Sequence, residues 1–141
     1  MMFDSTITVF NYRKSDHSWY TSVFHDVNVI EVQGKTATQH GETNGDNVEI
    51  LLNCSPGNEA DGKRYVTPKA YDALETVADY FTLTPESDFI MIGDYGENEP
   101  FDDDDYDEGL YQALNDEHDG VYMITSATWY GLLPHFEIGG R

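Results

Sequence analysis

Residues 5–12 have the sequence Ser-Thr-Ile-Thr-Val-Phe-Asn-Tyr. This stretch is rich in the β-branched and aromatic residues that favour strands. Successive side chains of a strand point to opposite faces, so Ile7 and Val9 share one face while Phe10 and Tyr12 share the other.

The rest of the chain continues this strand-rich pattern. Residues 19–24 follow a polar turn and predict a hairpin with the first strand. Val121–Tyr130 is the longest predicted strand. Residues 27–32 follow the hairpin, either as a separate strand or on the far side of a bulge. The pattern also predicts strands at residues 48–53, 81–84, 89–92 and 136–138.

Two helices interrupt the strands. Thr67 and Pro68 have the residue types of an N-cap and a first helical position, and the apolar spacing that follows predicts an amphipathic helix over residues 68–79. A weaker helix begins near Gly109, with an apolar face of Leu110, Tyr111 and Leu114. Residues 34–46 and 94–107 are predicted loops.

The order of these elements shows no regular alternation of strands and helices. We therefore predict a mainly β fold with two short helices, a small antiparallel barrel or sandwich, as a single domain over residues 1–141. An acidic insert at about residues 94–119 lies between two strands of the predicted sheet.

Charge is distributed very unevenly along the chain. The 141 residues contain 27 Asp and Glu against 7 Lys and Arg, giving a net charge of −20. Residues 70–140 contain eighteen of the acidic residues and no Lys or Arg. Such a chain repels phosphate, so we expect no direct nucleic-acid binding and no affinity for an anionic membrane.

The densest acidic residues define a candidate partner-contact surface. Three interpretations remain open: a solvated loop, a surface that imitates the phosphates of DNA, or adaptation to high salt. The candidate residues are Asp94, Glu97, Glu99, Asp102, Asp103, Asp104, Asp105, Asp107, Glu108, Asp116, Glu117 and Asp119.

The sequence contains no complete motif for catalysis, a cofactor or a metal. Residues 57–63 have the glycine and lysine spacing of a phosphate-binding loop, but Arg64 replaces the Ser or Thr that such a loop needs. Asp103, Asp105 and Asp107 alternate as in a calcium loop, yet the glycine and the final glutamate of that template are missing. We therefore expect no catalytic residues, no cofactor and no metal site.

Cys54 is the only cysteine, so no disulfide forms within the chain. The N-terminal residues lack the basic and apolar regions of a signal peptide, and the apolar runs are too short for a transmembrane helix. We expect a protein of the reducing interior of a cell.

Several short segments resemble small proteins from the head–tail gene region of tailed bacteriophages and prophages. The segments are Ile7-Thr8-Val9-Phe10-Asn11-Tyr12, a Trp-containing hairpin at 19–24, Arg64-Tyr65-Val66-Thr67-Pro68, Asp88-Phe89-Ile90-Met91-Ile92-Gly93 and Leu133-Pro134-His135-Phe136-Glu137-Ile138. The acidic run at 102–108 departs from that family's pattern. The resemblance implies a non-enzymatic virion assembly component in the host cytoplasm or the virion.

Three functions remain as hypotheses, of which an undetected enzyme has no sequence feature in its favour. The first is a component of the head–tail junction that contacts copies of itself or neighbouring virion proteins. The alternative is an acidic DNA mimic that inhibits a defence nuclease or a CRISPR effector by binding its basic groove.

Overall fold

The computed structural model describes residues 5–32, 37–38, 41–42, 47–55, 59–96 and 100–141. Within these residues the strands are β1 (Ser5–Arg13), β2 (Ser18–Val32), β3 (Ala37–Thr38), β4 (Gly41–Glu42), β5 (Asn47–Asn53), β6 (Glu59–Ala60), β7 (Lys63–Tyr65), β8 (Tyr80–Phe81), β9 (Phe89–Ile92), β10 (Phe101–Asp102), β11 (Val121–Tyr130) and β12 (His135–Gly140). The helices are α1 (Pro68–Ala73), a 3₁₀ turn (Asp103–Asp105) and α2 (Leu110–Glu117).

Six antiparallel strands form a closed barrel. Their order is β1-β9-β11-β12-β5-β2, and β2 pairs with β1 to complete the circle. β10 adds a short pairing to the first part of β2. The prediction of a mainly β fold with two short helices, a small antiparallel barrel or sandwich, is confirmed, and of these two architectures the structure is the barrel.

Two long strands bend so that the barrel closes. β2 pairs with β1 through its first part and with β5 through its second part. Between them Asp26 has a φ of 57°, and the register with β1 shifts at this level. β11 pairs with β9 over Val121–Met123 and with β12 from Ile124 to Tyr130, with a second register shift between Ile124 and Ser126. Extra residues of this kind bend a strand, which lets one strand serve two neighbours.

The two faces of these strands carry separate apolar clusters. We call the residues inside the barrel the inner cluster. It consists mainly of Ile7, Val9, Phe24, Val27, Val48, Ile50, Leu52, Phe81, Leu83, Ile90, Ile124, Phe136 and Ile138. We call the second set the outer cluster. It consists of Phe10, Trp19, Phe89, Met91, Leu110 and Val121, with Tyr12, Phe101, Tyr106, Tyr111 and Leu114 against it. The predicted division of Ile7 and Val9 from Phe10 and Tyr12 is therefore confirmed.

A small three-stranded sheet packs against the inner cluster. In this sheet β7 pairs with β6 in the antiparallel sense and with β8 in the parallel sense. Phe81 of β8 lies inside, with its ring 4.8 Å from that of Phe24. The ring centroids of Tyr65 and Phe136 are 4.7 Å apart. These aromatic contacts seal the inner cluster from the solvent.

The predicted helix over 68–79 was too long. Thr67 caps α1 as expected, accepting from the Ala70 N–H at 3.4 Å, but the helix ends at Ala73. Leu74 is extended, and its carbonyl accepts from the guanidinium of Arg13. The chain then continues to β8, because pairing with β7 and burial of Phe81 outweigh local helix propensity.

The other segment boundaries differ in smaller ways. The strand predicted at 81–84 is β8, which ends at Phe81. The predicted loop at 34–46 lies mostly outside the described residues, although β3 and β4 within it pair with each other. The predicted loop at 94–107 contains β10 and the 3₁₀ turn, so it is more ordered than its composition indicated.

Candidate functional site

The acidic insert covers the outer cluster with its apolar residues and turns its carboxylates outwards. Those that are exposed are Asp94, Asp102, Asp104, Asp105, Asp107, Glu108, Asp116, Glu117 and Asp119. Asp103 is half-buried, and Glu97 and Glu99 lie outside the described residues. Nine of the twelve predicted partner-contact residues therefore lie on the surface, and one has a different position.

Aromatic contacts attach the insert to the barrel wall. The rings of Phe10 and Phe89 are stacked 4.5 Å apart on the outer face of β1 and β9. From the insert, the ring of Phe101 lies 6.0 Å from Phe10, and that of Tyr111 lies 5.1 Å from Phe89. Trp19 lies 4.9 Å from Phe89 and completes the layer. Such aromatic pairs fix both position and orientation, so the carboxylates stand on an ordered base.

Asp103 is the polar anchor of the insert. Its Oδ1 accepts from the Trp19 indole N–H at 2.8 Å and from the backbone N–H of Leu110, the first residue of α2, at 2.9 Å. Its own N–H donates to the carbonyl of His17 at 3.0 Å. Asp103 therefore joins the β1–β2 hairpin to α2, and it contributes to the candidate surface by holding it in place.

No sequence signal separates Asp103 from its acidic neighbours. Asp102, Asp104 and Asp105 adjoin it and have the same side chain. The Oδ1 of Asp102 accepts from the Asp104 N–H at 3.0 Å, which caps the 3₁₀ turn. The turn directs Asp103 inwards and leaves Asp104 and Asp105 exposed.

The exposed carboxylates form two groups at the two ends of α2. The group at 102–108 lies next to the start of the helix, where Asp103 bonds to Leu110. At the other end, the ring of His118 contacts that of Tyr95 at 5.5 Å, which brings residues 94 and 95 towards residues 116–119. A helix of eight residues is about 12 Å long. The candidate residues that precede and follow residues 97–99 therefore lie along one short helix.

Within the described part of the chain no salt bridge joins a Lys or Arg to this surface, although Arg141 and Asp119 line the same open pocket. The ion pairs found there join Arg13 to Asp16 and Arg64 to Glu59, and the histidine pairs involve Asp61 and Glu137. None of these acids belongs to the insert. Burial raises the pKa of the Tyr12 phenol, and the nearby charges of Asp103 and Asp104 raise it further. Both observations indicate a negative potential over this side of the barrel.

The insert also contains an open cleft with a volume of about 490 Å³ between its acidic turn and α2. Its polar lining includes Gln112, whose side-chain amide donates to Asp116 at 2.8 Å. The full lining is Asp105, Tyr106, Asp107, Glu108, Gly109, Gln112, Ala113 and Asp116. The cleft combines carboxylates with an aromatic side chain, which is the chemistry that receives an Arg or Lys side chain of a partner.

Asp88 is a buried carboxylate that the sequence analysis did not single out. It is 0% exposed and accepts from the Tyr12 N–H at 3.0 Å, the Asn11 amide at 2.9 Å and the Thr84 N–H at 3.0 Å. Burial raises its pKa to about 6, and these hydrogen bonds act in the opposite direction. Because it is enclosed and its donors are backbone and amide groups, Asp88 stabilises the turn at 84–88.

Within the described residues, no group of three or more His, Cys, Asp or Glu side chains is arranged to hold a metal ion. Cys54 is half-buried, and burial raises the pKa of its thiol to about 11, which keeps it protonated at neutral pH. No helix in the described part of the chain has the length and apolar character needed to span a membrane.

The fold and the site together define a closed β-barrel with an ordered acidic cover over an aromatic layer. Residues 2–141 match the model of DUF6751, a family of unknown function. The chain therefore belongs to that family. No curated protein and no solved structure matches the chain.

Proposed function

We propose that this chain is a non-enzymatic protein that acts through protein–protein contacts, and that the acidic insert binds a basic surface of its partner. The observation that carries the proposal is that the exposed carboxylates are unpaired by basic residues of the described part yet stand on an ordered aromatic base. An unpaired charge on an ordered base loses little conformational freedom on binding, which favours a specific contact over a diffuse one.

The setting that we propose is the assembly of a phage or prophage virion at the head–tail junction. The sequence resemblance supports this setting. In an assembled particle the acidic insert either meets a basic neighbouring protein or faces DNA, which it repels and so allows to slide. The protein then occurs in the host cytoplasm before assembly and in the virion afterwards.

The experiment uses two variants with the same change in charge. The first replaces Asp104, Asp105 and Asp107 with Asn and Glu108 with Gln. The control makes the corresponding amide substitutions at four exposed acids outside the insert: Glu49, Glu75, Asp79 and Glu86. Each variant is expressed in the encoding phage or prophage after deletion of the native gene, and its ability to complement the deletion is measured. We expect the control to restore joined particles in electron micrographs and the insert variant to leave separate heads and tails.

Two results would contradict this assignment. One is full production of joined particles by the insert variant, which would remove the insert from the contact. The other is the absence of the protein from purified particles together with normal assembly after the deletion.

A second candidate function is a DNA mimic that inhibits a nuclease. It is favoured by the density of exposed carboxylates on one short ordered segment at 102–108, since DNA presents about one charge per ~1.7 Å of its axis. The test is displacement of a labelled duplex from a purified CRISPR nuclease, measured by mobility shift at increasing salt. A mimic displaces the duplex less well as salt rises, and the insert variant fails where the control variant succeeds.

A further inference from the structure

The second half of β11 is a strand edge without a neighbour in the described part of the chain. β9 pairs only with Val121–Met123, and the last backbone contacts on that side are the bonds of Ile124 with Asp88 and Glu86. Residues 126–130 pair with β12 on one side alone. Their outward N–H and C=O groups are therefore available to a further strand.

This edge carries none of the charges that usually prevent strand pairing, and the bulge of β11 near Thr125 lies before the unpaired residues 126–130. Residues 120–134 contain no Asp, Glu, Lys, Arg or His, although the whole chain has a net charge of −20. Exposed apolar side chains cluster at the adjacent hairpin tip: Trp129 is 38% exposed, Tyr130 44%, Leu132 97% and Leu133 77%. Natural edge strands are usually protected by charges, prolines or bulges, so an uncharged, aromatic edge marks an interaction surface.

We propose that a second copy of this chain pairs with this edge, strand β11 against strand β11 in the antiparallel sense, about a two-fold axis at Thr128. The charge distribution favours this occupant. Two chains of charge −20 repel each other wherever their acidic surfaces meet, and the uncharged strand is where they approach at least cost. A basic partner is attracted instead to the acidic insert.

The sequence of the edge is complementary to itself in this register. Pairing about Thr128 places Trp129 of each copy opposite Ala127 of the other, a large side chain against a small one. On the other face it places Tyr130 opposite Ser126, and Thr128 meets its own copy, which is a favourable cross-strand pair. In the single chain Trp129 already packs on Phe136 with 4.9 Å between the rings, so the edge is held in shape before pairing.

The dimer is tested by sedimentation velocity over a wide range of protein concentration, at low and at high salt. We expect a monomer–dimer equilibrium that shifts towards the dimer as salt rises, because salt screens the repulsion between the copies. Binding of the acidic insert to a basic partner weakens with salt, so the two proposals fail independently. A wild-type chain that stays monomeric throughout would overturn the dimer.

Charge substitutions at the axis test the register. Thr128→Lys and Thr128→Asp each place two like charges opposite each other, so each variant alone should lose the dimer. An equimolar mixture places Lys opposite Asp and should restore it as a heterodimer. The matched controls are Thr76→Lys and Thr76→Asp at an exposed position outside the barrel strands, which should dimerise like the wild type.

Three outcomes overturn this pairing. The first is a dimer formed by either Thr128 variant alone. The second is a mixture of the two variants that remains monomeric although circular dichroism shows folded chains. The third is a monomeric wild type that co-sediments with zwitterionic lipid vesicles through its apolar tip.

Discussion

The inner and outer clusters are built by alternate residues of the same strands, yet they are closed in different ways. The inner cluster is enclosed by six mutually paired strands and by aromatic residues such as Phe81. The outer cluster depends on the acidic insert, one covering segment that is strongly charged and that Asp103 anchors. The comparison indicates that the barrel supplies the stability, while the cover supplies the surface on which function is proposed.

The largest expected effect is a break in the inner cluster. Phe24 is 0% exposed, and its ring lies 4.8 Å from that of Phe81. Phe24→Ala should reduce the free energy of unfolding by about 3–5 kcal/mol, because it removes a buried ring and leaves a cavity. Urea denaturation followed by circular dichroism measures the loss.

Phe101→Ala is the matched change in the cover. Phe101 is only half-buried, at the edge of the outer cluster, so we expect a loss of less than half that caused by Phe24→Ala. Equal losses for the two variants would contradict this comparison, because an aromatic ring of the cover would then contribute as much stability as a ring inside the barrel.

A smaller effect concerns pH and the buried carboxylate next to the inner cluster. The pKa of Asp88 is raised to about 6 in the folded chain, against an ordinary value near 4. The folded state therefore binds the proton more tightly than the unfolded state does. The stability from this group is fully present below about pH 4 and is lost as the pH rises to about 6, a change of about 2–3 kcal/mol.

Asp88→Asn isolates this contribution from the repulsion among the exposed acids, which changes over the same pH range. The difference in unfolding free energy between wild type and Asp88→Asn should vary between pH 4 and pH 6 and stay constant from pH 7 to pH 8. A difference that does not vary with pH would show that Asp88 has the same pKa in both states.

The barrel was predictable because its strands alternate strongly. In β5, Val48, Ile50 and Leu52 are buried and Glu49 is exposed, as their spacing indicates. Closure of the barrel was less visible, since it depends on the bend at Asp26, where the sequence pattern left open either a bulge or a break between two strands. The early end of α1 was hidden for a different reason, because it is set by pairing of β8 with β7, the strand that precedes the helix, and helical spacing does not show that pairing.

The candidate surface was predictable as a set of residues but not as an arrangement. Composition alone marks the run from Asp102 to Glu108 as exposed and acidic. It does not show that Asp103 turns inwards to Trp19, since that contact joins residues 84 positions apart. The buried position of Asp88 likewise follows from its three donors in the folded chain.

The smallest expected effect is local and concerns the anchor of the cover. Asp103→Ala removes the acceptor for the Trp19 indole and for the Leu110 N–H, which should reduce the free energy of unfolding by about 1–2 kcal/mol. Trp19 is 6% exposed, so loosening of the cover should shift its fluorescence to longer wavelength. In a Trp129→Phe background, Trp19 is the only tryptophan that reports. Asp104→Ala is the control, since Asp104 is exposed and its substitution removes the same charge as Asp103→Ala does. An equal shift in both variants would mean that total charge, and not the Asp103 contact, holds the cover on the barrel.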